Sequence, residues 1–543
     1  MTRALKWLAI GAGVILGLAA LAIGALLLWV DPNDYRDRLE ELAGRQLGRP
    51  LEIAGPLDFK VFPWLSLEAR QLSLGNPPGF GAEPFAKVAS ARVGVKLLPL
   101  LHKRLEVSRI AIDGLDLRLV KRGDGHSNWE DLREQDRKQA EGREAATRTS
   151  IAGLDLTGGA LQYRDEATRS LTRLRDIELH TGTLGSGAPV PLDLSLVLDE
   201  GDGTSATRLA LQATANLPTG NPRIELSGVR VRGERIPAAP KRGKKPEPKV
   251  PFELTASQLV LDPDAETLAP AKVEVTYGGL PLQASIRGER LFGERVLQGE
   301  FTVPRVAPRK VLPGLGVELP ETPPGTLEAM QAKGAWRMTA KQLEISGLVA
   351  SLDETTLRGR VAIDDLDAET PPLRFDLTAD AVNVDRYFPP TSRTASAAAP
   401  AREEKPAELP REALAGLQAR GPLRIGRFTV AGLAFSDVST TLDAQGGLVK
   451  LGPTSAKLFG GGYQGMLTLD VRSSPARLAL DEHVRDLDFG ALMQASFDSK
   501  RLSGRIDGNA VLTARGDTDD ALLKALSGRT DFDIRNGALE GAG

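Results

Sequence analysis

The chain has 543 residues, room for several domains or one long repetitive one, and no cysteine, which excludes disulfides, thiolate metal sites and a cysteine nucleophile. Its 69 basic and 71 acidic residues nearly cancel, so nothing global calls for nucleic acid or a strongly charged substrate. Aromatics make up 5% of the chain against 57 glycines and 36 prolines, so a core must be assembled from Leu, Val, Ile and Ala between many turns.

A short tail, residues 1–6, carries Arg3 and Lys6. The 24 residues that follow, Trp7 to Val30, "WLAIGAGVILGLAALAIGALLLWV", hold no charge, and about 20 apolar residues suffice to cross a bilayer as a helix. The run predicts a transmembrane helix over 7–30 with Trp7 and Trp29 as interface anchors, because amphipathic rings settle at the headgroup level. Basic residues precede the run, whereas Asp31, Asp34 and Asp37 mix with Arg36 and Arg38 after it. The positive-inside rule therefore puts the N-terminus in the cytoplasm and the bulk outside. A cleaved signal peptide ending at "ALA", 20–22, is the competing reading. It would strand "IGALLLWV" on a soluble protein, and secretory apolar regions run to about 7–15 residues.

Residues 31–130 begin with "DPNDYRDRLEELAGRQLGRP", which predicts a short amphipathic helix with Tyr35, Leu39 and Leu42 on one face, ended by Gly44 or Gly48. The apolar period then changes to two: Leu51 and Ile53, Leu57 and Phe59, Leu65 and Leu67, Leu72 and Leu74, then Val93 and Val95. Ile110 and Ile112 continue it, followed by Leu115, Leu117 and Leu119 in "GLDLRLVKRGDGHSNW". Such alternation predicts antiparallel strands with one apolar face. The pattern returns through 151–236, 252–388 and 413–543, for example in "LDLSLVLD", "RFDLTADAVNVD" and "GPLRIGRFTVAGLAF". Two faint repeats accompany it: Ile112-x-Gly-Leu-x-Leu117 against Val430-x-Gly-Leu-x-Phe435, and Leu156-x-x-Gly-Ala-Leu161 against Ile534-x-x-Gly-Ala-Leu539. Three stretches interrupt the strands and mark module boundaries: a charged helix or linker at 131–150, a Pro/Lys linker at 237–251, and a disordered Pro/Ala-rich linker at 389–412.

Candidate chemistry is sparse. "GGGYQG", 460–465, fits the dinucleotide pattern G-x-G-x-x-G, but the strand-like "MLTLDV" follows where the fingerprint needs a helix, so a glycine-rich hairpin is expected. The acidic "IDDLDAET", 363–370, lacks the ligand order of a calcium loop and reads as a solvated turn. His102, His126, His180 and His483 form no zinc-ligand pair, so no metal and no cofactor are expected. Lys241 to Lys249 sit among prolines without aromatics and read as a solvated linker. Asp124, His126 and Ser127 are three triad residue types within four positions, yet triad members converge from separate elements. The local reading there is a strand end, a glycine turn through "GDG", and Trp129 folding back as a cap. No convergent catalytic set remains, so the chain is expected not to be an enzyme.

In order along the chain, the apolar run plus "DPNDYRDRLEELAGRQLGRPLEIAGPLDFKVFPWLSLEARQLSLGNPPGF", "DGHSNWEDL", "RKVLPGLGVELPET", "SLDETTLRGRVAIDD", "LRFDLTADAVNVDRYFPP", "GPLRIGRFTVAGLAFSDV", "AKLFGGGYQGMLTLD" and "LSGRTDFDIRNGALEG" resemble the AsmA family of bacterial inner-membrane-anchored periplasmic proteins. The resemblance covers nearly all of the chain. It implies a mainly β fold: one transmembrane helix, then a long curled antiparallel sheet of the repeating β-groove, taco-like kind, with a few short helices and disordered linkers. It also implies phospholipid transfer toward the outer membrane, in support of outer-membrane biogenesis, with no catalytic residues. Members continue past "NGALEG", so 413–543 is expected to be a truncated groove.

Under that reading the apolar face binds acyl chains, and small branched side chains leave a slot that rings would plug. Roughly 25 to 30 strands at about 4.8 Å each would extend to about 120–145 Å. The expected groove-lining residues are Leu72, Leu74, Val93, Val95, Ile110 and Ile112. Leu115, Leu117, Leu119, Val430, Leu433 and Phe435 join them. Expected partners are membrane lipids, the inner membrane, and an outer-membrane or periplasmic protein, with no nucleic acid. The alternative is a structural or assembly factor for outer-membrane protein insertion, without lipid transport.

Overall fold

The computed structural model describes residues 31–60, 65–95, 106–132, 150–167, 169–184, 187–199, 205–216, 223–239, 247–291, 294–317, 319, 322–366, 368, 370–388, 409–497 and 501–539. The transmembrane helix expected over 7–30, with Trp7 and Trp29, lies outside them, as do His102 and residues 133–149, 240–246 and 389–408 of the three expected linkers. Among the described residues no helix is long and apolar enough to cross a membrane. The chain divides into two compact units, Met1–Asp264 and Ala265–Gly543.

In the first unit, Asp31 caps a 3-10 turn (Pro32–Tyr35) that leads into α1 (Arg36–Leu47). Gly48 ends the helix at φ +65°, a left-handed conformation glycine adopts without steric cost. Then come β1 (Leu51–Ile53), β2 (Leu57–Lys60), β3 (Leu65–Leu74), β4 (Ala86–Val95), β5 (Glu106–Val107), β6 (Ile110–Asp113) and β7 (Asp116–Lys121). β8 (Ser150–Ile151), β9 (Leu154–Asp165), β10 (Ser170–Thr181), β11 (Val190–Asp199), β12 (Ala206–Asn216), β13 (Ile224–Ile236) and β14 (Val250–Asp262) follow. β1 and β2 share β3 as partner, β3 pairs with β4, and β4 pairs with β5, β6 and β7. From β9 to β14 each strand runs antiparallel to the next.

The second unit contains β15 (Thr267–Tyr277), β16 (Leu280–Glu289), β17 (Val296–Val306), α2 (Pro308–Val311), β18 (Met330–Met338), β19 (Leu343–Leu352), β20 (Thr355–Ile363), β21 (Leu373–Asn383) and α3 (Val384–Tyr387). After α4 (Arg411–Gly416) come β22 (Gln418–Val430), β23 (Leu433–Gln445), β24 (Leu448–Leu458), β25 (Gly461–Asp470), β26 (Arg477–Asp488), β27 (Leu502–Arg515) and β28 (Ser527–Leu539). Successive strands pair antiparallel, with one exception.

That exception, with its counterpart in the first unit, corrects the expectation of a wholly antiparallel sheet. β21 and β22 are parallel, and so are β6 and β7 to β9 and β5 to β8. Parallel neighbours need a return connection far longer than a hairpin loop. Residues 122–153 and 384–417 supply it, and they contain two of the segments read as linkers.

A second feature sets the faces. In β9 the apolar residues are Leu154 and Leu156, then Leu161 and Tyr163, so the alternation slips by one residue. Gly158 at the slip has φ +60° and adjoins irregular register with β10. It is a β-bulge, whose extra residue restores the apolar side chains to one face and bends the strand. Equivalent left-handed residues stand at Gln71, Gly114, Asp176 and Gly228 in the first unit. In the second unit they are Gly347, Asp437, Asp486 and Asn536. Glycine, Asp and Asn carry this conformation at least cost.

The bulges separate the two faint repeats. Gly158 and Asn536 occupy matching positions and both are left-handed, so the second repeat is structural. The first is not. Ala431 and Gly432 form the two-residue turn of the Val430–Leu433 hairpin, whereas Gly114 lies between β6 and β7, which both run beside β9 in the same direction.

Candidate functional site

Residues paired across strands share a face, and the register assembles apolar rows on one side of each sheet. In the first unit Ile112, Leu156, Leu179, Leu194, Leu211, Val231 and Leu254 lie side by side from β6 to β14. Beside them run Leu117, Leu161, Leu174 and Leu198. In the second unit, Trp336, Ile345, Val361 and Phe375 make one row, and Leu442, Leu451, Leu467, Leu480 and Leu512 another. All of these side chains are half-buried. The opposite face carries ion pairs: Glu68 receives Arg70 at 3.0 Å and Arg92 at 2.9 Å, and Asp376 receives Arg424 at 2.9 Å. The Arg70 hydrogen bond holds the buried Glu68 carboxyl below its ordinary range, against desolvation that pushes it up.

One end of the first unit's apolar face is covered. Leu39 of α1 packs on Ile53, Leu57 and Ala69, together with Leu51, Leu67 and Leu72. Leu72 packs against the same cluster and pairs with Ile53 on β1 and Val88 on β4. Tyr35 and Leu42, expected on one face with Leu39, are 46% and 60% exposed, and of the three Leu39 packs down. Leu74 pairs with Ala86, Val93 with Leu67, and Val95 with Leu65 and Val107. Ile110 pairs with Leu154 and Leu119 with Tyr163. Gly114, left-handed between β6 and β7, keeps Leu117 and Leu119, which pair with Leu161 and Tyr163 of β9, in line with Ile110 and Ile112, which pair with Leu154 and Leu156. Val430 and Leu433 flank a hairpin turn, and Phe435 contacts Phe428 at 6.2 Å and Tyr463 at 5.6 Å between ring centroids.

The "GDGHSNW" cluster is a latch. His126 is exposed and its ring meets Glu130 at 3.3 Å, while Asp124 accepts the His126 backbone N–H at 3.1 Å and pairs with Arg122 at 3.2 Å. Asn128 is the buried member, at 0% exposure. Its amide donates to Asn76 (2.8 Å) and to the Arg118 carbonyl (2.9 Å), and accepts from the Val120 N–H (2.9 Å). Its own carbonyl accepts from Arg49 at 2.6 Å. That guanidinium, fully buried just after α1, also pairs with Asp131 and stands 4.5 Å from the Phe85 ring. Trp129 rests against Tyr163, 6.1 Å between centroids, at the end of the apolar face.

Motifs far apart in sequence also meet in the second unit. Arg309, just after the start of α2, donates to the Thr326 carbonyl (3.0 Å) and the Thr322 hydroxyl (2.7 Å). Asp353 accepts the backbone N–H groups of Leu327, Glu328 and Ala329 and the Tyr387 hydroxyl at 2.9 Å. Burial and the Asp353 carboxylate push the Tyr387 phenol up to about 12. Arg386 donates to the Gly325 carbonyl at 2.8 Å. These bonds tie "RKVLPGLGVELPET", "SLDET" and "VDRYF" into one corner. "GGGYQG" folds as a hairpin turn, Phe459–Gly460, leading into β25. Among the described residues no three His, Cys, Asp or Glu side chains gather as a metal site.

Sequence reasoning missed two features: the bulge line and Glu482 on β26, which stands on the apolar face. Both left signals, the slips in alternation and an acid at apolar parity in "RLALDEHV".

The comparisons with known proteins agree with this architecture. The sequence model of the AsmA family matches residues 1–238 and 307–543. Protein AsmA of Escherichia coli (strain K12) is 21% identical over 544 residues, spanning 97% of this chain and 74% of that protein. With a family match over most of its length and motifs that fold into shared tie-points, the chain belongs to the AsmA family.

Proposed function

We propose that this protein is a non-enzymatic lipid conduit, anchored in the bacterial inner membrane by residues 7–30 with its bulk in the periplasm, and that it supports outer-membrane assembly. The observation that carries this reading is the row of half-buried leucines across β9 to β12, flanked by equally apolar neighbours. A face fully covered by a second sheet would be dry and a solvated face would be polar; this one is neither. Acyl chains would replace water there at about 0.8 kcal/mol per methylene, while headgroups meet polar groups. Bulges support the reading because a bulge bends its strand, and a face that holds a chain needs curvature. Exposed Tyr35 and Leu42, directly after the proposed anchor, suit a position at the membrane surface.

The test is lipid extraction from the detergent-purified full chain followed by mass spectrometry. Bound phospholipid in stoichiometric amount is the expected result. An empty protein that instead captures an outer-membrane protein precursor would replace the conduit by an assembly scaffold.

A further inference from the structure

Polar groups interrupt the second unit's apolar face. Glu482 follows Leu480 and precedes Val484 at the same strand parity, opposite Gly465 on β25 and Ala510 on β27. The Tyr463 hydroxyl donates to its carboxylate. A Cβ at Gly465 would stand 2.1 Å from the Glu482 Oε2 and 2.4 Å from the Tyr463 hydroxyl oxygen, so this glycine leaves the space in which carboxyl and phenol lie over the sheet. On the adjoining strands the hydroxyls of Thr440 and Thr454 bond to each other at 2.7 Å. Phe428, Phe435 and Tyr463 form an aromatic row that leads to the carboxyl, the last two meeting across the buried Ala456 of β24.

No Lys or Arg pairs with Glu482 among the described residues, and the flanking Asp481 and His483 pair with each other at 3.2 Å. A half-buried carboxylate without a cation is costly, and desolvation accordingly pushes the Glu482 pKa up. A cation beside it removes that cost, and aromatic faces attract cations, ammonium groups among them.

We propose that Glu482 and Tyr463, at the end of the Phe428–Phe435 row, form a subsite for the ammonium group of an amphiphile whose alkyl chain lies along the apolar face. The subsite rests on the lipid-facing reading of that face and adds the headgroup chemistry. Glu482 supplies the charge, Tyr463 orients the carboxyl and offers a ring, and Leu467 and Leu480 on the neighbouring row take the chain.

The experiment displaces an apolar fluorescent probe from the full-length protein in detergent near neutral pH, using dodecylamine and, separately, dodecanol. The amine is expected to act at about tenfold lower concentration. In Glu482→Gln, which keeps an acceptor for the Tyr463 hydroxyl, that preference should shrink to within about twofold with dodecanol unchanged. Tyr463→Phe, which keeps the ring, should give an intermediate preference, and circular dichroism checks that both variants fold. Equal displacement by amine and alcohol in the wild type, or an undiminished amine preference in Glu482→Gln, overturns the subsite while leaving the apolar-face reading intact. Failure of the probe and both amphiphiles to bind overturns both.

Discussion

Asn128 makes four hydrogen bonds through its side chain and carbonyl inside a fully buried site, and Arg49 depends on that carbonyl and on Asp131. Asn128→Ala leaves the Val120 N–H and the Arg118 carbonyl without partners, so it should cost about 2–4 kcal/mol in chemical unfolding of the first unit. His126→Ala, two residues away and exposed, should stay within about 0.5 kcal/mol of the wild type in the same measurement. The sequence marks this cluster as special, but residue types alone point to the wrong member. A His beside an Asp and a Ser suggests chemistry; burial singles out the Asn, and burial is a property of the chain segments that come to surround it.

Among elements, the left-handed positions along the strands are the devices most open to test. Gly114 at φ +63° has no room: a Cβ would lie 2.8 Å from that of Ala89. Gly158 at φ +60° has its nearest such neighbour at 3.8 Å. Gly114→Ala should therefore lower stability by about 2 kcal/mol or more, while Gly158→Asn, which copies Asn536, should cost less than about 1 kcal/mol; thermal denaturation distinguishes them. A second element-level contact joins α4 to the end of β27. The Ser474 hydroxyl (2.7 Å), the Ala476 N–H (2.9 Å) and Arg411 hold the Asp517 carboxyl at about 2, below its ordinary 3.8. Because the folded value is the lower one, the contact stabilises the fold above pH 3.8 and is lost as pH falls toward 2. The melting-temperature gap between the wild type and Asp517→Asn should be full at neutral pH and close across that window. Strands and their apolar parity were legible because side chains alternate with period two. The parallel crossings at β9 and β22 were not, since alternation is the same whichever way the neighbour runs.

For the molecule, the prediction concerns the apolar rows. Leu211 lies mid-row between Leu194 and Val231, half-buried. Leu211→Asp should abolish co-purifying lipid, as measured by mass spectrometry, while leaving the far-ultraviolet circular dichroism of a β protein; the same change at exposed Arg208 on the opposite face should leave lipid content unaltered. Loss of lipid from both variants, or from neither, would count against a conduit along that row. From the amino-acid sequence alone came the strand-rich class, the apolar run at 7–30, the helix ended by glycine and the family, because each rests on local periodicity, composition or motif order. Which residues the face joins was decided only by tertiary pairing, which packs Leu39 of α1 and Leu72 of β3 against one cluster, brings Tyr387 to Asp353 from 34 residues away, and sets Glu482 beside Tyr463. Contacts between strands depend on hydrogen-bond register and on where each bulge falls, and a linear pattern encodes these only through the partner it meets.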